Sequence, residues 1–409
     1  MLLPSSLTPV QLASLRVIWI GLVLSAVSDQ VYLLAFPWLA YDLTGSAAAL
    51  GITRALEQLP PVLLGIIIGV LVDRFEMRRV LVVSGILSAF LMVLPAVAHA
   101  VGSLAIWQLY ILSFLLAFLY FVEVTTWRAF ITTLVPRSAL ADANATWSLI
   151  GNASSLLGPI CGGALIAWIG ATNSLWLAAV SYVIVALLIL LIRIPSPTSP
   201  KGAEPASDKV ELLKGFLHLT GQPLLRTSVG LLLVVRLVMG LVNALQLFYL
   251  RNEFTLDSKT TGLIMSVGGF GSIMTNLFIY RLVQPLPRGK VSLVSMAVLG
   301  TALAGLAVTQ QWWQYAVLYA TITGAVLILN INLLTTIQEF TPHHLLGRVI
   351  AATDMASGVA LVASSGLAGM LANGTGARAL FLVGGAMSLL VAFVSWTTPL
   401  SRLTSTAGE

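Results

Sequence analysis

Apolar stretches as long as a membrane-spanning helix follow one another along nearly the whole chain. A helix needs roughly 20 consecutive apolar residues to cross the hydrocarbon core of a bilayer, and such stretches run from residues 18–40 to residues 378–399. Of the 409 residues, 58% are hydrophobic and only 9% are charged, whereas soluble domains carry roughly 25% charged residues. The sequence therefore predicts an all-α membrane protein with twelve transmembrane helices.

The basic residues indicate how these helices are oriented. If the twelve helices alternate in direction, 16 of the 21 Lys and Arg residues lie on one side of the membrane. Arg251, Lys259 and Arg378 lie on the other side, and Arg54 and Arg236 lie within helices. Because cytoplasmic loops are enriched in Lys and Arg, we predict a multi-pass protein of the plasma (inner) membrane with both termini in the cytoplasm. The net charge of +6 then reflects topology and gives no reason to expect nucleic acid binding.

The chain also divides into two halves that resemble each other weakly. Residues 134–140 resemble residues 340–346 at an offset of 206, and residues 79–84 resemble residues 290–295 at an offset of 211. Between the halves, residues 194–222 are rich in Pro, Ser and charged residues, which is typical of a linker. We therefore predict two pseudo-symmetric six-helix bundles, residues 1–193 and 223–409. Residues 211–219 of the cytoplasmic linker are predicted to form a short amphipathic helix. Repeats of six helices are typical of transporters whose substrate site lies between the halves.

The predicted loop between the second and third spans carries a recognisable motif. Residues 69–79 read GVLVDRFEMRR, which resembles the signature loop of the major facilitator superfamily. The resemblance implies that Asp73, Arg74 and Arg78 form part of a cytoplasmic gate. The alternative is a positively charged loop without a gating role.

Two further features resemble particular members of that superfamily. The fifth span resembles the core of a motif found in its export members, at Gly158, Pro159, Gly162 and Gly163. Two upstream glycines of that motif are replaced by Asn152 and Leu156, and the alternative is a glycine-rich packing face. Residues 43–46, 134–136 and 346–349 resemble the drug/proton antiporters, a branch that includes macrolide and siderophore exporters. This resemblance implies proton-coupled export of small molecules by a monomer.

Ionisable residues inside the predicted spans are candidate functional groups, because placing a charge in the bilayer core costs several kcal/mol unless it is paired or hydrated. Asp29 and Glu57 are our candidates for proton coupling, with a structural hydrogen bond as the alternative for Asp29. Arg54 precedes Glu57 by three residues, so the two side chains share one helix face. Arg54 is a candidate substrate contact, and a self-contained ion pair with Glu57 is the alternative.

The seventh and first spans supply the other candidate substrate contacts. Asn243 and Gln246 follow Arg236 on the same predicted helix face, which is suited to an anionic or polar group. The alternative for Arg236 is a structural link between the halves. Tyr32 and Phe36 are candidates for lining a lipophilic pocket, with core packing as the alternative.

Glu123 and Asp354 are predicted nearer the cytoplasmic ends of their helices. We assign both to the cytoplasmic gate with Asp73, Arg74 and Arg78, and direct contact with substrate is the alternative.

The sequence points to no enzymatic activity, cofactor or metal site. It contains no G-x-x-x-x-G-K-[ST] phosphate loop. Our main hypothesis is a proton-coupled exporter of amphipathic or lipophilic small molecules that works by alternating access. The alternatives are a specific exporter or flippase, for example for a siderophore or a lysolipid, and a membrane sensor or scaffold without transport.

Overall fold

A computed structural model of the protein describes residues 9–134, 140–191 and 221–403. Within these ranges all regular secondary structure is helical. The twelve main helices are α1 (Pro9–Thr44), α2 (Ala47–Arg74), α3 (Met77–Ala100), α4 (Ile106–Leu134), α5 (Leu140–Ile169), α6 (Ala171–Leu191), α7 (Pro223–Phe254), α8 (Ser258–Val283), α9 (Arg288–Leu306), α10 (Trp312–Phe340), α11 (His343–Thr375) and α12 (Ala377–Ser395).

These helices have the length and composition of membrane spans. Among the described residues, eleven helices are long and apolar enough to cross a membrane. The twelfth, α2, qualifies if Ala47–Gly65 and Ile67–Arg74 are counted as one span, because the helix bends by 65° between them. The prediction of an all-α membrane protein is confirmed.

Contacts divide the chain into two compact units. The first unit consists of Met1–Gly45, Leu56–Pro205 and Asp257–Leu263. Its helices pack mainly as α1 on α5 and α6, and as α3 on α4 and α6. Apolar side chains of α1, α3, α4 and α6, among them Ile18, Leu81 and Phe130, form one of its cores.

The second unit consists of Ser46–Ala55, Ala206–Leu256 and Ile264–Glu409. Here α7 packs on α10, α11 and α12, and α9 packs on α10 and α12. The first residues of α2 thus group with the later half of the chain, and the first residues of α8 with the earlier half. The predicted linker falls almost wholly outside the described residues, and so does its amphipathic helix.

Helix α8 has a capped start and an irregular backbone further along. Asp257 caps its start, because the Thr260 backbone N–H donates a hydrogen bond to Asp257 Oδ1 at 3.0 Å. The hydrogen bonds from Thr260 also hold the pKa of Asp257 below its usual value. Further along, residues Thr275–Ile279 form a π-helical turn. Such turns are rare and often occur at functional sites.

Candidate functional site

A cluster of polar side chains lies inside the first unit, among α1, α3, α4 and α6. Asp29 on α1 accepts a hydrogen bond from the Tyr182 hydroxyl on α6. Gly85 on α3 lies next to α6, because a Cβ atom added there would be in ordinary contact with the Tyr182 carbonyl oxygen at 3.6 Å. The aspartate predicted to carry a proton is therefore held at a defined position by a neighbouring helix.

Glu123 belongs to the same cluster. Its side chain is buried, and Ser88 Oγ on α3 donates a hydrogen bond to Glu123 Oε1 at 3.3 Å. Asp29 and Glu123 are close enough to interact electrostatically, and both also interact with Tyr182. Two carboxyl groups from distant parts of the sequence thus share one interior site. An arrangement of this kind is suited to taking up and releasing a proton.

The second unit contains a separate group of polar side chains. Gln246 on α7 is buried with its side chain close to Tyr319 on α10, and Arg54 at the start of α2 lies within electrostatic range of Tyr319. Arg54 on α2 and Gln246 on α7, which are both candidate substrate contacts, therefore lie near the same tyrosine. Their hydrogen-bonding groups are suited to a polar part of a ligand.

Arg236 has an acidic neighbour in the second unit. It lies half-buried on α7, and Asp354 on α11 is within electrostatic range. Helices α7 and α11 meet closely here, because a Cβ atom added at Gly240 would lie 2.6 Å from the Leu361 carbonyl oxygen. Asn243, one helical turn beyond Gly240 and two beyond Arg236, is also half-buried.

The remaining membrane candidates are buried. Tyr32 is buried, its hydroxyl donates to the Ser113 carbonyl oxygen at 3.2 Å, and its ring centre is 4.7 Å from that of Phe36. Phe36 is fully buried. Glu57 is also buried, with 3% of its surface exposed. Tyr32 and Phe36 thus have packing roles in addition to any contact with substrate.

Some of the charged residues around the loop between α2 and α3 are exposed, and others form hydrogen bonds or ion pairs. Asp73 and Arg74 are exposed. The Arg78 guanidinium donates a hydrogen bond to the Leu190 carbonyl oxygen near the end of α6. Glu76 and Arg79 form an ion pair at 2.8 Å within the first turn of α3. The start of α3 is thus held to α6, while Asp73 and Arg74 remain accessible to solvent.

The glycines of the export-type motif make two different close contacts. Gly158 and Gly162 face α1, since a Cβ atom added at Gly158 would overlap the Gln30 side chain. Gly163 faces α8 instead, where its added Cβ atom would lie 2.4 Å from the Ser258 carbonyl oxygen. Pro159 touches α8 as well, because its carbonyl oxygen lies where Gly262 would carry a side chain. The motif therefore packs α5 against two helices at once.

Sequence reasoning did not identify several of these partners. Tyr182 and Ser88 carry no signal that connects them with Asp29 or Glu123, because neighbouring helices cannot be assigned from hydropathy. The contact of Gly262 with α5 did have a signal in the sequence. Gly262 follows Gly51 by 211 residues, which is the offset of the internal repeat. Among the described residues, no group of three or more His, Cys, Asp and Glu side chains is placed to hold a metal ion.

Known proteins resemble this chain over nearly its full length. A family profile described as "Transmembrane secretion effector" matches residues 4–408. The chain is 26% identical over 387 residues to the multidrug efflux pump Tap of Mycolicibacterium fortuitum, covering 91% of this chain and 93% of that protein. It is 25% identical over 342 residues to the enterobactin exporter EntS of Salmonella choleraesuis (strain SC-B67), covering 82% and 78%.

Solved structures share the fold at low sequence identity. A crystal structure of the nucleoside transporter NupG superposes with a TM-score of 0.74 at 12% identity, covering 95% of this chain and 98% of that chain. A bacterial homologue of the iron transporter ferroportin, in an inward-facing state, superposes with a TM-score of 0.71 at 15% identity, covering 94% and 99%. At such identities the likeness bears on the fold alone.

Proposed function

We propose that this chain, which belongs to the transmembrane secretion effector family of the major facilitator superfamily, is a proton-coupled exporter of amphipathic or lipophilic small molecules. Family membership confirms the resemblance predicted from the sequence and makes the chain a multi-pass membrane transporter rather than an enzyme. The observation that carries proton coupling is the pair of carboxyl groups, Asp29 and Glu123, inside the first unit. The relatives named as efflux pump and exporter support the outward direction.

In this proposal the carboxyl cluster carries the proton. Asp29 and Glu123 take up a proton from the outer side and release it to the cytoplasm, and the Tyr182 and Ser88 hydroxyls hold the carboxyl groups in place. Glu57, buried on α2, is a third candidate. An ionised carboxylate is costly in the membrane interior, so protonation is expected to favour a different arrangement of the helices than deprotonation does. That difference would couple proton entry to alternating access.

The substrate contacts are proposed on the polar side chains of the second unit. Arg54, Gln246, Arg236 and Asn243 offer hydrogen bonds and positive charge. We assign Tyr32 and Phe36 to apolar contacts, and Asp73, Arg74, Arg78 and Asp354 to the cytoplasmic gate. Glu123 was first assigned to that gate, but its hydrogen bond to Ser88 and its interaction with Asp29 favour proton coupling. We propose that the protein works as a monomer in the inner membrane.

A second candidate function is export or flipping of one specific anionic metabolite. Arg236 favours it, because a half-buried guanidinium suits a carboxylate, phosphate or catecholate, and the likeness to an enterobactin exporter agrees. Competition among chemically diverse compounds in proteoliposomes separates the two functions. Inhibition by many unrelated amphipathic compounds supports multidrug export, and inhibition by a single class supports the specific exporter.

Proton coupling can be tested with the purified protein in liposomes that contain a pH-sensitive dye. A transported compound loaded inside the liposomes is expected to draw protons in as it leaves. A pH gradient with the more acidic side inside the liposome is expected to drive accumulation of the compound without ATP. A protonophore is expected to abolish that accumulation. Compound movement without proton movement would contradict coupling, and movement of neither would contradict transport.

Replacing Arg236 with Gln is expected to weaken export of anionic compounds more than export of cationic ones. Loss of one charge-assisted hydrogen bond costs about 1.5–3 kcal/mol, which corresponds to an increase in KM of roughly 10-fold to 150-fold for anions. Arg236→Lys, which keeps the charge, is the control and should retain much of the preference. Equal effects on anions and cations would assign Arg236 to structure.

A further inference from the structure

A groove of about 600 Å³ lies in the second unit between α8, α9 and α10. Its size is within the range of about 300–1,000 Å³ that is typical of small-molecule sites. Most of the side chains that line it are apolar, and several of these are exposed, including Phe270, Ile279, Val294 and Val298. Lys290 is the one charged residue among those lining it. The groove therefore combines a long apolar wall with one positive charge.

The backbone of α8 explains where the groove lies. Helices α8 and α10 touch closely at Gly271, where an added Cβ atom would lie 2.6 Å from the Ala320 carbonyl oxygen. They touch again at Gly324, where it would lie 2.3 Å from Thr275 Oγ1. The π-helical turn Thr275–Ile279 begins at this second contact, and both of its ends line the groove.

Lys290 is available to a ligand. Its neighbour Arg288 is already engaged, because Arg288 Nη1 lies 2.6 Å from Glu339 Oε1 on α10. Lys290 is exposed and forms no ion pair with any acidic side chain in the described ranges. A ligand with a negative group would complement it.

The dimensions of the groove match one leaflet of a bilayer. Along α9 the lining extends from Lys290 to Val298, which is about 12 Å at 1.5 Å per residue. One leaflet contributes about 15 Å of hydrocarbon. Lys290 belongs to the set of basic residues that the sequence places on the cytoplasmic side, so the charged end of the groove is at the level of the cytoplasmic headgroups.

We propose that this groove binds one anionic phospholipid of the cytoplasmic leaflet, with its phosphate at Lys290 and an acyl chain between α8, α9 and α10. Basic pockets between membrane helices on the cytoplasmic side are suited to anionic headgroups. The apolar wall that continues toward the bilayer centre holds the chain. This site is separate from the polar side chains proposed to contact substrate.

Native mass spectrometry of the full-length protein, taken from nanodiscs of equal parts phosphatidylglycerol and phosphatidylethanolamine, tests the proposal. We expect one retained phosphatidylglycerol per protein. A lysine near anionic headgroups contributes to the free energy of lipid binding. Lys290→Gln should therefore lower this retention roughly fivefold. Val294→Trp should lower it as well, by filling the groove.

Two matched controls isolate the site. Lys259→Gln removes an exposed lysine of α8 outside the groove, and Val317→Trp enlarges an exposed residue of α10 that does not line it. Both should retain the lipid. Equal retention of the two lipids by the unmodified protein, a small amphiphile bound there in place of lipid, or unchanged retention in Lys290→Gln would each overturn the proposal. Because the readout is bound lipid, the result does not depend on whether the protein exports drugs.

Discussion

Replacing Asp29 with Asn is expected to reduce substrate-driven proton movement to the level of protein-free liposomes. Asparagine has the size of aspartate and can still accept the hydrogen bond from Tyr182, but it cannot gain or lose a proton near neutral pH. Glu123→Gln is expected to act in the same direction, because Glu123 shares the interior cluster with Asp29. The measurement is the dye response of proteoliposomes when an exported compound is added.

Two controls distinguish the loss of proton coupling in these variants from misfolding of the protein. Exchange of labelled for unlabelled substrate at equal concentrations needs no net proton movement, so both variants should keep it. Asp142→Asn changes an exposed carboxyl in the first turn of α5 and should keep full coupling. If Asp29→Asn and Glu123→Gln both couple as well as the unmodified protein, the cluster carries no proton and coupling must be sought elsewhere, with Glu57 as the next candidate.

The helical architecture could be predicted because it depends on composition. A chain with so few charges has only the bilayer as a suitable solvent, and in the bilayer every backbone polar group must be satisfied within its own helix. The apolar stretches at residues 18–40 and 378–399 therefore fall on α1 and α12. Helix ends were less accurate, because α1 begins at Pro9, well outside the apolar stretch.

The pairing of side chains could not be predicted, because it depends on which helices are neighbours. Asp29 was singled out by its depth in the first span, yet nothing in the sequence connects it with Tyr182 or Glu123. Glu123 could be placed only by its depth along one helix, because its hydrogen-bond partner Ser88 on α3 is not evident from the sequence. The π-helical turn in α8 was also missed, since it leaves no trace in hydropathy.

Glycines that let helices touch are the clearest link between the repeat in the sequence and the structure. In the second unit, a Cβ atom added at Gly51 would lie 2.6 Å from Gly369 Cα, so α2 and α11 are in backbone contact. In the first unit, a Cβ atom added at Gly163 would lie 3.0 Å from Gly262 Cα, so α5 and α8 are in similar contact. Gly369 follows Gly163 by 206 residues, and Gly262 follows Gly51 by 211. The two contacts are thus repeats of one another.

The α2–α11 contact also has a polar component. The Asn373 side-chain oxygen accepts a hydrogen bond from the Ala47 backbone N–H at 3.1 Å, and Asn373 also bonds Ser46. Such bonds satisfy the free backbone groups at the start of α2. By the predicted orientation, both glycine contacts lie toward the outer side of the membrane. A transporter that alternates its access must make and break its outer contacts, and glycine permits close contact without interlocking side chains.

Enlarging Gly163 is therefore expected to stop transport while leaving substrate binding intact. Forcing extra atoms into a packed contact costs about 1–3 kcal/mol, which lowers the population of the closed contact roughly 5-fold to 150-fold. Gly163→Ala should slow export and Gly163→Leu should abolish it, and Gly51→Leu should do the same through α2 and α11. Export from proteoliposomes is compared with substrate binding in detergent.

A control from the same helix shows whether the contact itself matters. Gly151 also lies on α5, but a Cβ atom added there meets nothing within 4 Å, so Gly151→Leu should export normally. Loss of binding together with export in Gly163→Leu would indicate a folding defect rather than a blocked cycle. If Gly163→Leu exports as well as Gly151→Leu, the close contact of α5 and α8 is not needed for transport. The glycines at the two repeat offsets would then reflect only the duplication of the chain.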